Sequence, residues 1–499
     1  MTTKFVRGAV ALMALIFLGT TVNGFAKESL ATVSNVPGRP VLLLSGFDLA
    51  TVGYTEEEFF ISGNACSYKL DGAPTADGRW DAKKADIAPY TSRIVVLRPA
   101  DPKAFNGTVV VEWLNVSAGT DATPDWNDAH RELIRKGYAY VGVSAQKVGI
   151  DGATGALGAM GQPLKKSNPQ RYASLNHPGD AFAFDIYSQA GRLLKQPDAS
   201  GLLGGLKPRH VIAVGESQSA VFLTTYVNAV DPLAKVYDGF LIHSRFGPSA
   251  QLDGKSIRDA ANVLPAVRLR DNLRVPVLTV ITETDLVGGG LTGFYGARQP
   301  DNAHLRVWEM PGTSHADIYT FGAGFMDSGS APMDKMAAAW RPMDTILGMK
   351  LAKPINAAPQ HHYIVEAALA SLNTWVESGV APPQAQPMTA TAGAQPGSPP
   401  TLVRDANGET EGGIRTPWID VPVAAYSGGG NSGSPLAMLA GSTVPFDQAT
   451  LDKLYPGGKD EYLKKFEASL DATINAGFVL PADKAEILQI AALNYPGSH

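Results

Sequence analysis

Cysteine is nearly absent: Cys66 is the only one in 499 residues. No intrachain disulfide can form, and Cys66 lies too far from the N-terminal apolar stretch to be a lipid-anchor site. Charge is also sparse. Asp, Glu, Lys and Arg make up 18% of the chain, the net charge is −5, and there is no basic stripe, which argues against nucleic acid as a partner. Outside the N-terminus no apolar run is long enough to span a bilayer. There is no internal repeat. Gly-x-Gly-x-x-Gly, Walker A and His-Glu-x-x-His motifs are all missing, and Gly155 to Gly161 has the wrong spacing for a dinucleotide loop. Neither an organic cofactor nor a metal is expected.

The chain does contain enough apolar residues for a large core (44%), with 52 Gly and 35 Pro implying many loops. Its N-terminus has the layout of a secretory signal peptide. Lys4 and Arg7 precede an apolar stretch from Gly8 to Gly19, and Gly24-Phe25-Ala26 resembles a small-x-small cleavage site. Residues 1–26 would be removed, leaving a mature chain that starts near Lys27 with no stable membrane insertion. An exported chain without disulfides fits a bacterial periplasm or the medium.

Further along, strands are predicted over Glu58–Leu70, Thr91–Arg98, Thr108–Leu114, Tyr138–Val143, Val211–Val214, Asp238–Ile242, Val275–Ile281 and Leu305–Met310. Helical spacing is found over Trp126–Lys136, Asp185–Leu194, Gln218–Val230, Tyr363–Val376 and Tyr462–Leu480, and Ile414–Tyr426 is strand-like. Strands alternating with helices predict an α/β fold with a mostly parallel central sheet covered on both faces. The pattern breaks between Phe321 and Pro359, with a short helix near Met333–Trp340. Residues 316–359 are expected to be a lid-like insertion, 381–400 a linker-like stretch and 401–499 a C-terminal extension, all within one domain over 27–499.

Within this frame one short segment carries chemistry. The run Val211-Ile-Ala-Val-Gly-Glu-Ser-Gln-Ser-Ala220 passes from a β-branched strand through Gly215 to Ser217 and into a helix. This is the layout of a nucleophile elbow, which forces a serine hydroxyl outward above a helix N-terminus. Ser219 stands where the usual pattern has glycine. A serine nucleophile needs a base, and the base needs an orienting acid. His315, in Pro311-Gly-Thr-Ser-His-Ala-Asp317, follows the last strand and is the expected base. His243, His361 and His362 read better as caps or core imidazoles. The acid should follow the preceding strand, where Asp285 is preferred and Glu283 is the alternative. Backbone N–H groups of Gln218, and of Asn115 and Val116 in the loop after the Thr108 strand, are the candidate oxyanion donors. The polar clusters His177-Pro-Gly-Asp180, Asp185 and His243-Ser-Arg245 could line a pocket, or Asp185 and Arg245 could be buried pairs that hold loops.

The segments Phe105-Asn-Gly-Thr-Val-Val-Val-Glu-Trp-Leu-Asn-Val-Ser117, Gly142-Val-Ser-Ala-Gln146, Leu175-Asn-His-Pro-Gly-Asp180, Gly215-Glu-Ser-Gln-Ser-Ala220, Asp238-Gly-Phe-Leu-Ile-His-Ser-Arg245, Thr282-Glu-Thr-Asp285 and Gly312-Thr-Ser-His-Ala-Asp317 together resemble the bacterial alpha/beta hydrolase domain family. The resemblance runs from about residue 54 to the C-terminus, and Ser219 matches it. It implies an α/β-hydrolase fold and a triad of Ser217, His315 and a carboxylate in the Thr282–Asp285 turn. The expected activity is hydrolysis of a small-molecule carboxylic ester through an acyl-enzyme. Acyl transfer or amide or lactone cleavage is the second reading, and a non-catalytic periplasmic binding protein on a hydrolase scaffold is the third.

Overall fold

The computed structural model describes residues 1–2, 30–153, 157, 160–256, 263–393 and 398–496. The expected signal peptide falls almost wholly outside the described residues. A nine-stranded sheet dominates, in the order β1-β2-β3-β5-β4-β6-β7-β8-β9. Its strands are β1 (Thr32–Val36), β2 (Tyr54–Leu70), β3 (Ala82–Pro99), β4 (Thr108–Trp113), β5 (Ala139–Val143), β6 (His210–Glu216), β7 (Gly239–His243), β8 (Val277–Thr282) and β9 (Leu305–Met310). The first three pair antiparallel, as do β3 and β5, while β5, β4, β6, β7, β8 and β9 are parallel.

The parallel strands are short and apolar almost throughout, as strands covered on both faces must be. Alternation along them divides the core in two. Val109, Val111 and Trp113 of β4, with Val211 and Ala213 of β6, face the helices Ala183–Leu194 and Gln218–Thr225 through Phe184, Tyr187 and Phe222. Val110, Ile212 and Val214 face the opposite layer, where Trp126 and Leu133 of helix Pro124–Arg135 meet Ile364, Leu369 and Leu372 of helix Gln360–Ser378. The helix expected over Gln218–Val230 is α-helical to Thr225 and continues as a π-helical turn over Tyr226–Val230.

Strand order reverses at β4. The chain goes from β4 to β5 on one side and returns past β4 to β6 on the other. Crevices at the C-terminal ends of strands beside such a reversal are where α/β sheets place ligands. Ser217 follows β6 there, and the Asn115 loop follows its neighbour β4.

Residues 316–359 pack together with the C-terminal region. Tyr319, Met336, Trp340, Ile346 and Ile355 cluster with Ala437, Ala440 and Ile490 from the C-terminal region. Beyond residue 400 the expected strand-like stretch resolves into a helical turn, Pro417–Asp420, and a strand, Ala424–Ser427, paired with Ser442–Pro445. Pro417 at the first position of the turn favours helix there. The helix expected over Tyr462–Leu480 spans Gly458–Asn475 and ends before Gly477, whose φ is +85°. Helix Lys484–Asn494 follows.

Gly137 joins helix Pro124–Arg135 to β5 at φ +69°, and a Cβ there would lie 1.8 Å from the Ala104 carbonyl oxygen. Gly201 has a similar φ of +68° but open space around it. Gly201→Ala should therefore cost about 1 kcal/mol, and Gly137→Ala about 3 kcal/mol or more because backbone must move. Urea midpoints for the two variants check this; equal losses would mean that the Ala104 contact relaxes freely.

Candidate active site

Ser217 sits at φ 57°, ψ −116°, between the end of β6 and the helix Gln218–Thr225. That conformation is strained for a residue with a side chain and persists only where the surroundings impose it. Part of the constraint is Gly215, where a Cβ would fall 2.9 Å from Leu223 and 3.1 Å from the Ser219 Cβ. Ser219 is fully buried, and its hydroxyl has no hydrogen-bond partner. The elbow accommodates serine in place of glycine because it is Gly215 that makes the close approach. The Ser217 N–H donates to the His243 carbonyl at 3.0 Å, tying the elbow to β7.

Three side chains from three strand ends meet at Ser217. His315 Nε2 lies 2.8 Å from Ser217 Oγ, and His315 Nδ1 lies 2.6 Å from Asp285 Oδ1. Asp285 is completely buried and its second oxygen accepts the Thr282 N–H at 2.8 Å, while its own N–H donates to Thr282 Oγ1 at 3.2 Å. This reciprocal capping box orients the carboxylate independently of the histidine. Burial by itself would raise the Asp285 carboxyl, but the His315 imidazole and the Thr282 hydrogen bonds outweigh it and hold the group below its usual range.

Glu283, two residues earlier, faces the opposite way. It accepts the Gly312 N–H at 2.7 Å, Thr410 Oγ1 at 2.5 Å, Gly428 N–H at 2.8 Å and Arg404 Nη2 at 2.9 Å. It thus joins the loop that carries His315 to the C-terminal region, and it has no contact with the imidazole. Thr284 adds to this connection, donating from its hydroxyl to the Gly428 carbonyl and accepting the His315 N–H at 3.1 Å.

The expected oxyanion donors differ in availability. Gln218 opens its helix, where an N–H has no intrahelical carbonyl. The Asn115 N–H is engaged: it donates to the Ala122 carbonyl at 3.0 Å, in a bridge that closes the loop after β4. The Val116 N–H donates to the side chain of Gln218, at 3.4 Å from Oε1, and Gln218 Nε2 is in turn held by Gln146 Oε1 at 2.7 Å. A substrate oxygen reaching Val116 would replace the Gln218 amide there.

Glu216 was not anticipated as a site residue, although it lies inside the elbow motif. Its Oε1 is 3.2 Å from His315 Nε2, and its Oε2 accepts from Asn115 Nδ2 at 3.1 Å. Burial, with Asp125 and Asp285 nearby, raises its carboxyl well above the ordinary range. The ring of Phe246 covers His315 at 5.1 Å between centroids.

Two of the other polar clusters hold structure. Asp185 and Arg245 are both buried but are not partners. Asp185 accepts from the Cys66 N–H at 3.0 Å and Gln189 Nε2 at 2.8 Å, whereas Arg245 donates to the carbonyls of Phe246, Gly247 and Val267. His243 and His361 are more than caps, since their imidazoles meet directly beneath the elbow.

A sequence profile described as the alpha/beta hydrolase domain matches residues 25–489. The chain belongs to the alpha/beta hydrolase domain family. The mostly parallel sheet, its strand order and the elbow after β6 are this family's fold realised in the chain. No curated protein matches the hydrolase. Among solved structures it is similar to a putative dienelactone hydrolase from Klebsiella pneumoniae (12% identity, TM-score 0.29, covering 56% of this chain and 95% of that one). A cold-adapted esterase from an Arctic intertidal metagenomic library (13% identity, TM-score 0.26, 51% and 85% covered) and Aspergillus niger EstA (11% identity, TM-score 0.23, 39% and 46% covered) are also similar.

The two carboxylates of the Thr282–Asp285 turn should separate experimentally. Asp285→Asn is expected to lower turnover by about 10⁴-fold with little loss of stability, because an amide favours the wrong imidazole tautomer. Glu283→Gln is expected to cost about 3 kcal/mol of stability, since it breaks a buried charged network, with a smaller loss of turnover per folded molecule. Turnover and urea midpoints measured together on both variants test this, and the reverse ranking of turnover would transfer the acid role to Glu283.

Proposed function

We propose that this hydrolase cleaves a carboxylic ester through an acyl-enzyme on Ser217. The observation that carries the reading is the unbroken hydrogen-bond path from Ser217 Oγ through His315 to Asp285, at 2.8 and 2.6 Å. Ser217 attacks the carbonyl carbon while His315 Nε2 takes its proton. Asp285 holds the Nδ1 proton in place and stabilises the imidazolium that forms. The N–H of Gln218, joined by that of Val116 once the Gln218 side chain withdraws, supports the developing oxyanion. His315 then protonates the departing alcohol, and water repeats the sequence on the acyl-enzyme. Esters are favoured over amides because expelling an alcohol asks less of a single general acid than expelling an amine. Acyl transfer to another alcohol would use the same groups, and product analysis with competing alcohols distinguishes it.

Ser217→Ala should retain the fold and lose about 10⁶ in kcat on chromogenic esters, together with all labelling by a fluorophosphonate probe. A variant keeping a tenth of wild-type activity would disprove Ser217 as nucleophile. A wild-type protein that neither turns over esters nor takes the probe would instead be a binding protein on this scaffold.

Export to a bacterial periplasm or the medium is part of the proposal. It is supported by the charged, apolar and small-x-small succession across Lys4, Arg7, Gly8–Gly19 and Gly24–Ala26, and by the single cysteine. N-terminal sequencing of the protein from its native host should begin near Lys27; an intact Met1 in a cytoplasmic fraction would refute export.

A further inference from the structure

We infer that this hydrolase binds a divalent transition-metal ion, Zn²⁺ by preference, between His243, His361 and Asp128, directly beneath the nucleophile elbow. One ligand atom from each of the three lies within 4.8 Å of those of the other two, and all three residues are buried. They come from three elements that pack together on one side of the sheet: the end of β7, the start of helix Gln360–Ser378, and helix Pro124–Arg135.

The decisive feature is the orientation of the two imidazoles. His243 Nδ1 is 3.0 Å from Asp125 Oδ1, and His361 Nδ1 faces Asp317 Oδ2 at 3.7 Å. The His243 ring thus hydrogen-bonds a carboxylate, the outer partner that metal-bound histidines characteristically have, whereas His361 Nδ1 is buried without a hydrogen-bond partner. The Asp125 carboxylate favours the proton on His243 Nδ1, which leaves a lone pair on His243 Nε2. The two Nε2 atoms are only 2.8 Å apart, and with centroids 5.1 Å apart they point almost straight at each other. At that distance the His243 lone pair faces either a proton on His361 Nε2 or a metal ion held between the two rings.

The surrounding charge favours the ion. Asp125, Asp128 and Asp317 are buried around the two rings, and among the described residues no Lys or Arg makes an ion pair with any of them. Asp125 Oδ2 has no hydrogen-bond partner at all. A divalent cation would supply the counter-charge to an ionised Asp128 that no Lys or Arg ion pair among the described residues supplies. The second cluster of this kind, Asp327, His362 and Glu486, shows the contrast. There Arg131 supplies the cation, at 2.5 Å from Asp327 and 2.9 Å from Glu486. Two imidazoles and a carboxylate are a borderline donor set that suits zinc. On a tetrahedral zinc with Zn–N of about 2.0–2.1 Å the two nitrogens stand about 3.3 Å apart with their lone pairs converging at about 109°, so the nitrogens must part by about half an ångström and each ring must tilt by roughly 35°. The ion would be structural, pinning two helices to the strand whose His243 carbonyl accepts the Ser217 N–H.

The full-length protein, dialysed against ZnCl₂ and then freed of excess metal, should retain about one zinc per chain by elemental analysis. Its thermal midpoint should fall by several degrees with a strong chelator and recover with zinc. Cobalt substitution should give a visible d–d absorption band of nitrogen and oxygen coordination. His361→Gln and Asp128→Asn should lose the metal and the band, while Glu486→Gln at the Arg131 cluster keeps both. Wild-type protein holding less than about 0.2 zinc per chain, with no cobalt band, would overturn the proposal and assign a shared proton to the pair. Metal retained in full by His361→Gln and Asp128→Asn would overturn it too, by placing the ion elsewhere. The wild-type readings do not depend on any variant folding, and fluorophosphonate labelling of Ser217 in the same samples reports separately on the hydrolase mechanism.

Discussion

A serine held at φ 57°, ψ −116° is the constraint on which the rest of the site depends. Such a backbone costs on the order of 1–3 kcal/mol and would relax if its neighbours allowed it. They do not. Gly215 lets the helix fold back against the strand, the His243 carbonyl fixes the Ser217 N–H, and the fully buried parallel strands on either side cannot shift independently. The strained turn lifts the hydroxyl clear of the sheet at the point where strand order reverses. From there, His315 and Asp285 can reach it from the ends of β9 and β8.

The acid and its neighbour show how local backbone geometry assigns roles to identical chemistry. Glu283 and Asp285 occupy one short turn after β8. The capping box with Thr282 commits Asp285 to the His315 side, and the turn then sends Glu283 toward the opposite wall. There it gathers donors from Gly312, Thr410, Gly428 and Arg404. Three of these lie beyond residue 400, so the C-terminal extension is built into the loops that present the acid and the base. Removing one donor would leave part of a buried carboxylate uncompensated, a large cost in a low-dielectric interior.

Where local pattern and tertiary demand agreed, the sequence was readable. Leu305–Met310 is a strand with the boundaries its apolar run predicts, and β4 and β6 differ from prediction by a residue or two, because strands buried on both faces are continuous β-branched runs. The elbow and the placement of His315 were legible for the same reason: each follows such a strand. The early half of β3, Ala82 onward, was not, since Lys83-Lys-Ala-Asp-Ile-Ala-Pro89 is mixed in polarity and contains a proline, and only its long pairing with β2 makes it a strand. Glu216 sat within the recognised motif, yet its contact with His315 depends on the fold of the Asn115 loop, which no spacing reveals.

The buried histidine pair was hidden by sequence distance in a stronger sense. His243 and His361 are 118 residues apart, and each by itself resembles a capping or core imidazole. The available signal was in the helix between β4 and β5, where Asp125 and Asp128 stand three residues apart and therefore on one face. That face packs inward, against helix Gln360–Ser378, where an acidic residue has no solvent to stabilise it. Burial pushes the Asp125 carboxyl up to about 8 and that of Asp128 to about 7. Asn127, His130 and Glu132 are buried on the same helix, and a carboxyl buried there either keeps its proton or takes a cationic partner from elsewhere in the chain or from solution. That choice determines whether the floor beneath Ser217 is held by a proton or by an ion.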